Sequence, residues 1–282
     1  MKSISELKEN MMIEEKEDLN CLKFTPLEKF GFIRHGFILG KKDGTGINSS
    51  DIPELISIAS GIPEEKFRVV IPKQVHQAQV LSFKEKMQEK IIQMEGDALL
   101  TDQDNLFLVI QVADCLPVFL ADPATEIVGL AHIGWRGAFS GMAEEVIRKF
   151  KEAFKAKPSD LHLVFGPTIG KCCYKISDDL TVLFDEKYID KRGMENYLDL
   201  VRFVKDKFLK AGVKEENILV SGECTFCGDK RYQSYRKDKE KAGRMVAFIG
   251  KIHTIDDFRK DLNTHRGVQL DALVGQGGPQ VP

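Results

Sequence analysis

Residues 106–135, LFLVIQVADCLPVFLADPATEIVGLAHIGW, constrain this chain more than any other stretch. LFLVIQV is apolar at successive positions, so a strand built from it has both faces covered and sits centrally in a sheet. LPVFLAD and IVGLAHIGW follow, with a DPATE turn between them, and read as a hairpin or as two adjacent strands. Strands therefore come in groups rather than in strict βα alternation. That argues against a parallel doubly wound sheet and for mixed sheets with helices packed outside.

The flanking sequence fits the same plan. Residues 67–81, FRVVIPKQVHQAQVL, read as extended. Alternation from Val75 onward places Gln74, His76 and Ala78 on one face, and Pro72 marks an edge or a bend. Ser140 is placed to cap a helix in which Met142, Val146, Phe150 and Phe154 form one apolar stripe. Ser177 opens a second helix through Tyr188, and residues 196–211 form a third with Gly212 placed to end it. LHLVFG, ILVSGE and GRMVAFIGKI read as further strands. The fold class expected is α+β, in a single catalytic domain over residues 21–253. Residues 1–20 form a charged lead-in, solvated or folded as a short surface helix. Residues 254–282 form a C-terminal tail expected to be partly disordered.

Charge narrows the range of partners. Asp and Glu number 43 against 41 Lys and Arg, so wholesale nucleic-acid binding is not expected. No apolar run reaches membrane-spanning length, and the N-terminal residues have no apolar core for a secretory signal. A cytoplasmic protein acting on a small molecule is the expectation. Six sparse cysteines in such a chain read as reduced thiols rather than a disulfide framework.

Three residues stand out as metal donors: His76, Cys115 and His132. Thiolate and imidazole suit the borderline softness of zinc, and three protein ligands leave a fourth position open. Each alone has a plainer reading, as a polar-face histidine or a buried structural thiol. His132 lies in GLAHIGWRGAFSGM, where Gly134 and Gly137 allow close backbone approach and Arg136 adds a forked cation. Asp97, in GDALLT, either moves protons, orients an imidazole or caps its own turn. Cys224 and Cys227 form a CxxC with no second CxxC and no βαβ context, so neither a zinc ribbon nor a thioredoxin site is supported. Cys172 and Cys173 are adjacent and read as structural. RYQSYRKDKEKAGRM gathers Arg231, Arg236 and Arg244 with Tyr232 and Tyr235, either a phosphate or base contact or a solvated loop.

In order, QVH, GDALLT, ADCLPVFLAD, GLAHIGWRG, FGPTIGKCCYKI, CT, SYR and GRM resemble the laccase-domain, or multicopper polyphenol oxidase, family, now regarded as zinc-dependent purine nucleoside phosphorylases. The match runs from about His35 to about Lys251. The resemblance implies a four-layer α/β/β/α sandwich with mixed sheets, and zinc on His76, Cys115 and His132. It implies phosphorolysis of adenosine, inosine and methylthioadenosine, with adenosine deaminase side activity. Some relatives are linked instead to editing of peptidoglycan precursors. Cys115, Asp97 and Arg136 are the catalytic candidates, and Asn48, Tyr235 and Arg236 the substrate-binding ones. Three places depart from the family: Gly40 and Lys41 replace a threonine-arginine type pair, GINSSD keeps only Asn48 of the usual asparagine stretch, and Gln233 stands where an aromatic precedes SYR.

Copper laccase chemistry is excluded by ligand supply, because six histidines with no His-x-His pair cannot build a multicopper centre. Two other readings use the same residues. One is a metal-free cysteine hydrolase with Cys115 and a histidine base. The other is a zinc-stabilised protein without turnover.

Overall fold

A computed structural model of the chain describes residues 10–17, 19–41, 47–85 and 88–252. The tail expected from residue 254, and residues 42–46 beside the departures at Gly40 and Lys41, lie outside them. Two large mixed sheets carry the fold. The first holds β1 (Met11–Lys16), β2 (Leu19–Phe24), β3 (Ile33–Lys41), β4 (Arg68–Val70), β6 (Ile91–Ile92), β8 (Leu106–Val112) and β16 (Met245–Lys251), in the order β1-β2-β3-β16-β8-β4-β6. The second holds β5 (Val80–Phe83), β7 (Ala98–Thr101), β9 (Leu116–Asp122), β10 (Ile127–Ile133), β11 (His162–Phe165) and β15 (Ile218–Val220), in the order β15-β11-β9-β10-β7-β5. A small sheet of β12 (Lys175–Ile176), β13 (Ile189–Arg192) and β14 (Glu195–Leu198) has β14 at its centre.

Packing explains why the central strands lack polar alternation. Leu108 and Ile110 of β8 face an apolar cluster shared with Phe119, Leu130 and Val164 of the second sheet. Phe107 and Val109, on the other face of β8, pack with Leu55 and Ile56 of the helix Ile52–Ser60. Leu116, Val118 and Leu120 of β9 face a third cluster with Val146 and Phe150 of the helix Met142–Phe154 and Phe208 of the helix Leu200–Lys210. Each of these strands thus buries both faces, at roughly 25 cal/mol for each Å² of apolar surface removed from water.

Five sequence expectations are corrected. Residues 11–16 of the expected lead-in form β1, because Met11 and Ile13 pack against the inter-sheet cluster while the strand pairs with buried β2. Residues 67–81 are not one strand: β4 ends at Val70, β5 starts at Val80, and His76 between them has φ 60. Ser140 does not cap the long helix. It ends the short helix Trp135–Phe139, and Gly141, at φ 87, starts Met142–Phe154. The helix expected from Ser177 to Tyr188 is one short turn, Asp178–Thr181. The helix expected from Asn196 starts at Leu200, because residues 195–198 pair with β12 and β13. Asp199 caps it by accepting from Arg202 N at 3.0 Å.

Candidate active site

The chain crosses from the first sheet to the second three times at one end of the molecule; residues 93–97, from β6 to β7, end in Asp97, and the other two crossings carry metal donors. Ala113, Asp114 and Cys115 link β8 to β9, and residues 71–79 link β4 to β5. β10 then brings His132 opposite Pro117, at the start of β9. The donor atoms of His76, Cys115 and His132 lie within 4.8 Å of one another, and these residues form one of two groups among the described residues able to hold a metal ion. The two imidazole rings stand edge to face, with centroids 4.8 Å apart.

Asp97 organises this group. It is wholly buried just before β7. Its carboxylate accepts backbone N–H bonds from Val75 at 3.2 Å, His76 at 2.9 Å and Gln77 at 3.0 Å. The same carboxylate meets His132 Nδ1 at 2.9 Å, which turns the other ring nitrogen towards the group. Three amides drawn onto one carboxylate explain the left-handed turn at His76: the loop is bent around an anion instead of running extended. A second tie pins the loop to β8, because Gln74 Nε2 donates to the Gln111 carbonyl and the Gln111 N–H to Gln74 Oε1, both at 2.8 Å.

Electrostatics bind the group together even without an ion. Burial raises the Cys115 thiol, but the His132 charge and hydrogen bonds from His132 and His76 outweigh it and hold the thiol well below its ordinary range. Burial lowers His132, but the Cys115 charge and the Asp97 hydrogen bond carry it above the usual imidazole range. Burial raises Asp97, but its bonds to His132 and to the amides of Gln77 and His76 bring it down. Space is arranged as tightly as charge. A Cβ on Gly134 would lie 3.0 Å from Cys115 Sγ, and one on Gly137 would lie 3.4 Å from the Gln77 carbonyl oxygen. The glycines noted in the sequence therefore let the helix Trp135–Phe139 close against the donor group.

Asp114 plays the corresponding part on the other side. At φ 83, it accepts from Thr225 Oγ1 at 2.6 Å, Ser234 Oγ at 3.0 Å and Arg236 N at 2.6 Å. Its carboxylate is committed to these three donors, which fasten the 225 and 234 loops around Cys115.

Two adjoining cavities open on the donor group, and His76, Ala113, Cys115 and Tyr235 line both. The larger, about 720 Å³, also has Ser49, Lys73, Gln74, Gln111, His132 and Arg244 on its walls. The smaller, about 490 Å³, has Arg136, Arg236 and Lys239 beside Trp135 and Tyr174. The Arg136 guanidinium lies over the Trp135 ring at 4.7 Å, and that of Arg236 donates to the Lys175 carbonyl at 2.6 Å. Cys115, Arg136, Tyr235 and Arg236 thus meet at one place. Asn48 does not line either cavity: its N–H donates to Asp51 Oδ2 at 3.4 Å at the head of a short 3-10 turn, and its neighbour Ser49 takes the wall position. The basic segment divides, since Arg231 pairs with Asp229 at 2.7 Å and Tyr232 is buried between the sheets, leaving Arg236 and Arg244 for the cavities. Gln233 fills the space between Gly40 and Gly243. Sequence reasoning missed Gln74, Gln111, Tyr174 and the role of Asp114, whose signals reside in contacts between distant segments.

Comparison with known proteins places the chain among relatives of the same fold. A family model described as multi-copper polyphenol oxidoreductase laccase matches residues 53–251. The purine nucleoside phosphorylase YlmD of Geobacillus stearothermophilus is 36% identical over 163 residues, 55% of this chain and 60% of that relative. The purine nucleoside phosphorylase SSP1584 of Staphylococcus saprophyticus is 31% identical over 221 residues, 74% of this chain and 82% of that relative. The match to the Geobacillus protein thus spans less than two thirds of its length. Its crystal structure superposes with a TM-score of 0.74 at 25% identity, covering 86% of this chain and 100% of that one. No helix among the described residues is long and apolar enough to cross a membrane. By sequence and by fold, the chain belongs to the multi-copper polyphenol oxidoreductase laccase family.

Proposed function

We propose that this protein is a zinc-dependent purine nucleoside phosphorylase, acting on adenosine, inosine and methylthioadenosine in the cytoplasm. The observation that carries the reading is that His76 and Cys115 lie on the wall shared by two cavities, with His132 beside them in the larger and three cations in the smaller. The donor set fits zinc: one thiolate, two imidazoles, and a carboxylate behind one of them fixing its tautomer. When bound, zinc supplies a Lewis acid at the junction of the two cavities.

The chain's own groups divide the remaining work. Phosphorolysis forms a bond from a phosphate oxygen to the ribosyl carbon and breaks the bond from that carbon to the purine nitrogen. Arg136, Arg236 and Lys239 hold the phosphate in the smaller cavity, where the Asp114 carboxylate is already engaged by its own donors. The nucleoside occupies the larger cavity, whose amide, hydroxyl and Arg244 groups suit ribose hydroxyls and purine edges. Tyr235, on both walls, stands between the two reactants, and Asp97 acts as a positioning residue for both imidazoles. Holding phosphate and ribosyl carbon together removes much of the entropic barrier to their encounter.

A deaminase side activity on adenosine would use the same larger cavity. The cysteine-hydrolase reading is motivated by the mutual stabilisation of Cys115 and His132. Product chromatography after incubation of the zinc-loaded protein with adenosine, with and without phosphate, separates these. Adenine formed only with phosphate supports the proposal, and inosine formed without phosphate reveals deamination. Absence of both products overturns the nucleoside assignment. The copper chemistry in the family's description finds no support in donor supply, since only one of the two metal-competent groups among the described residues contains histidine.

A further inference from the structure

The second metal-competent group lies outside both cavities. Cys172, Cys173, Cys224 and Cys227 have their sulfurs within 4.8 Å of one another. Cys172 and Cys227 are 3.5 Å apart, well beyond a disulfide bond, and all four thiols are free. One zinc ion with bonds of about 2.3 Å in a tetrahedron would set its sulfurs roughly 3.8 Å apart. The four sulfurs, within 4.8 Å of one another, need only small side-chain shifts to reach that spacing.

Topology explains a gathering that the sequence hides. β11 and β15 pair in parallel, with Phe165 beside Val220, so the loops that leave them emerge at the same end. A parallel bridge from Thr168 to Cys224 extends the pairing into the loops. The backbone also points an amide at the Cys224 sulfur. Gly170 N donates to it at 3.3 Å. Gly228 N returns to the Cys224 carbonyl at 2.8 Å, and a Cβ at Gly228 would lie 2.4 Å from that oxygen. Only glycine closes this turn. Arg192 donates to the carbonyls of Cys172 and Lys171 at 3.1 and 3.2 Å, placing a cation beside a group that would carry net negative charge with zinc bound.

We propose that Cys172, Cys173, Cys224 and Cys227 hold one zinc ion in a closed tetrathiolate site that braces the wall of the active-site cavity. Binding replaces four S–H bonds with four Zn–S bonds and releases four protons to solvent, with no change of oxidation state. All four positions come from the protein, which leaves none for substrate and makes the site structural. The bracing runs through short contacts. Thr225, inside the Cys224–Cys227 turn, donates to Asp114 Oδ1, and Thr168 Oγ1 donates to the Asp114 carbonyl at 2.6 Å. Tyr174, adjacent to Cys173, lines the smaller cavity. The proposal does not depend on the first group being the phosphorylase centre.

The test is metal content of the full chain, expressed with zinc and purified without oxygen or chelator, in wild type, Cys115→Ala and Cys224→Ser/Cys227→Ser. Two zinc ions per chain are expected in wild type and one in each variant. X-ray absorption of Cys115→Ala should show a shell of sulfur alone at about 2.3 Å. The double serine variant should retain a mixed nitrogen and sulfur shell, which separates failure of this site from failure of the first. If that variant does not fold, cobalt titration of Cys115→Ala replaces it, with intense thiolate charge-transfer absorption expected at one equivalent. Cys115→Ala without stoichiometric zinc, iron with inorganic sulfide in its place, or a Cys172–Cys227 disulfide in the anaerobic protein would each overturn the proposal.

Discussion

His76, Cys115 and His132 sit where the chain crosses between its two sheets, whereas the four-cysteine group sits on two loops at the surface. The first group is oriented by buried carboxylates: Asp97 holds the His76 loop and the His132 ring, and Asp114 fastens the loops around Cys115. The second is oriented by a backbone amide directed at sulfur and by a glycine turn. The difference has a physical reason. A site that keeps a position open needs its donors fixed from behind, by groups that do not enter the cavity. A site whose four ligands enclose the ion needs only a backbone that tolerates close approach of sulfur.

The most severe way to break this contrast is Cys115→Ala. Turnover should fall by more than about a thousandfold, the several kcal/mol that a lost metal centre represents, while folding persists. Steady-state kinetics beside circular dichroism checks both. Retained turnover would show that the buried group is not the reaction centre. Asp97→Asn comes next. An amide cannot accept along both edges, so it would set an N–H₂ against the donors now facing the carboxylate. Zinc affinity of the first group should fall about 10- to 100-fold, with the cysteine group unaffected, measured by competition with a chelating dye.

Arg136→Ala sharpens the assignment of the cavities. Removing a charge-assisted contact of about 1.5–3 kcal/mol should raise KM for phosphate roughly 10- to 100-fold and leave KM for the nucleoside near its original value. Equal changes in both would place the phosphate elsewhere. The thiols themselves provide a further comparison. In chelator-treated protein near neutral pH, iodoacetamide should modify Cys115 ahead of the more exposed Cys172. The His132 charge holds the Cys115 thiol low, whereas burial and its sulfur neighbours push Cys172 up to about 11. Peptide mapping reads the order, and zinc-loaded protein should protect Cys115. Asn48→Ala should do least: under about 0.5 kcal/mol of stability and no shift in KM, since Asn48 lies outside both cavities.

The central strands and the donor residues were legible in the sequence because their signals are local. Runs such as LFLVIQV announce two covered faces. What stayed hidden depends on partners far along the chain. Alternation around His76 looked like a strand, and only the carboxylate of Asp97, from the edge of another strand, turns it. The four cysteines looked like an isolated pair and a lone CxxC, because the parallel pairing of β11 with β15 that unites them leaves no mark within either segment.

Asp97 has one more consequence. A single carboxylate restrains a main-chain loop and a side-chain ring that belong to different strands, so the two imidazoles form one mechanical part. Neither can drift to suit a larger or smaller ion without pulling on the other through the same two oxygens. Acid that protonates Asp97 slackens both together, and ion release should be cooperative, with His76 and His132 freed in one step. Its bonds to His132 and to the amides of Gln77 and His76 hold that carboxylate below its ordinary range.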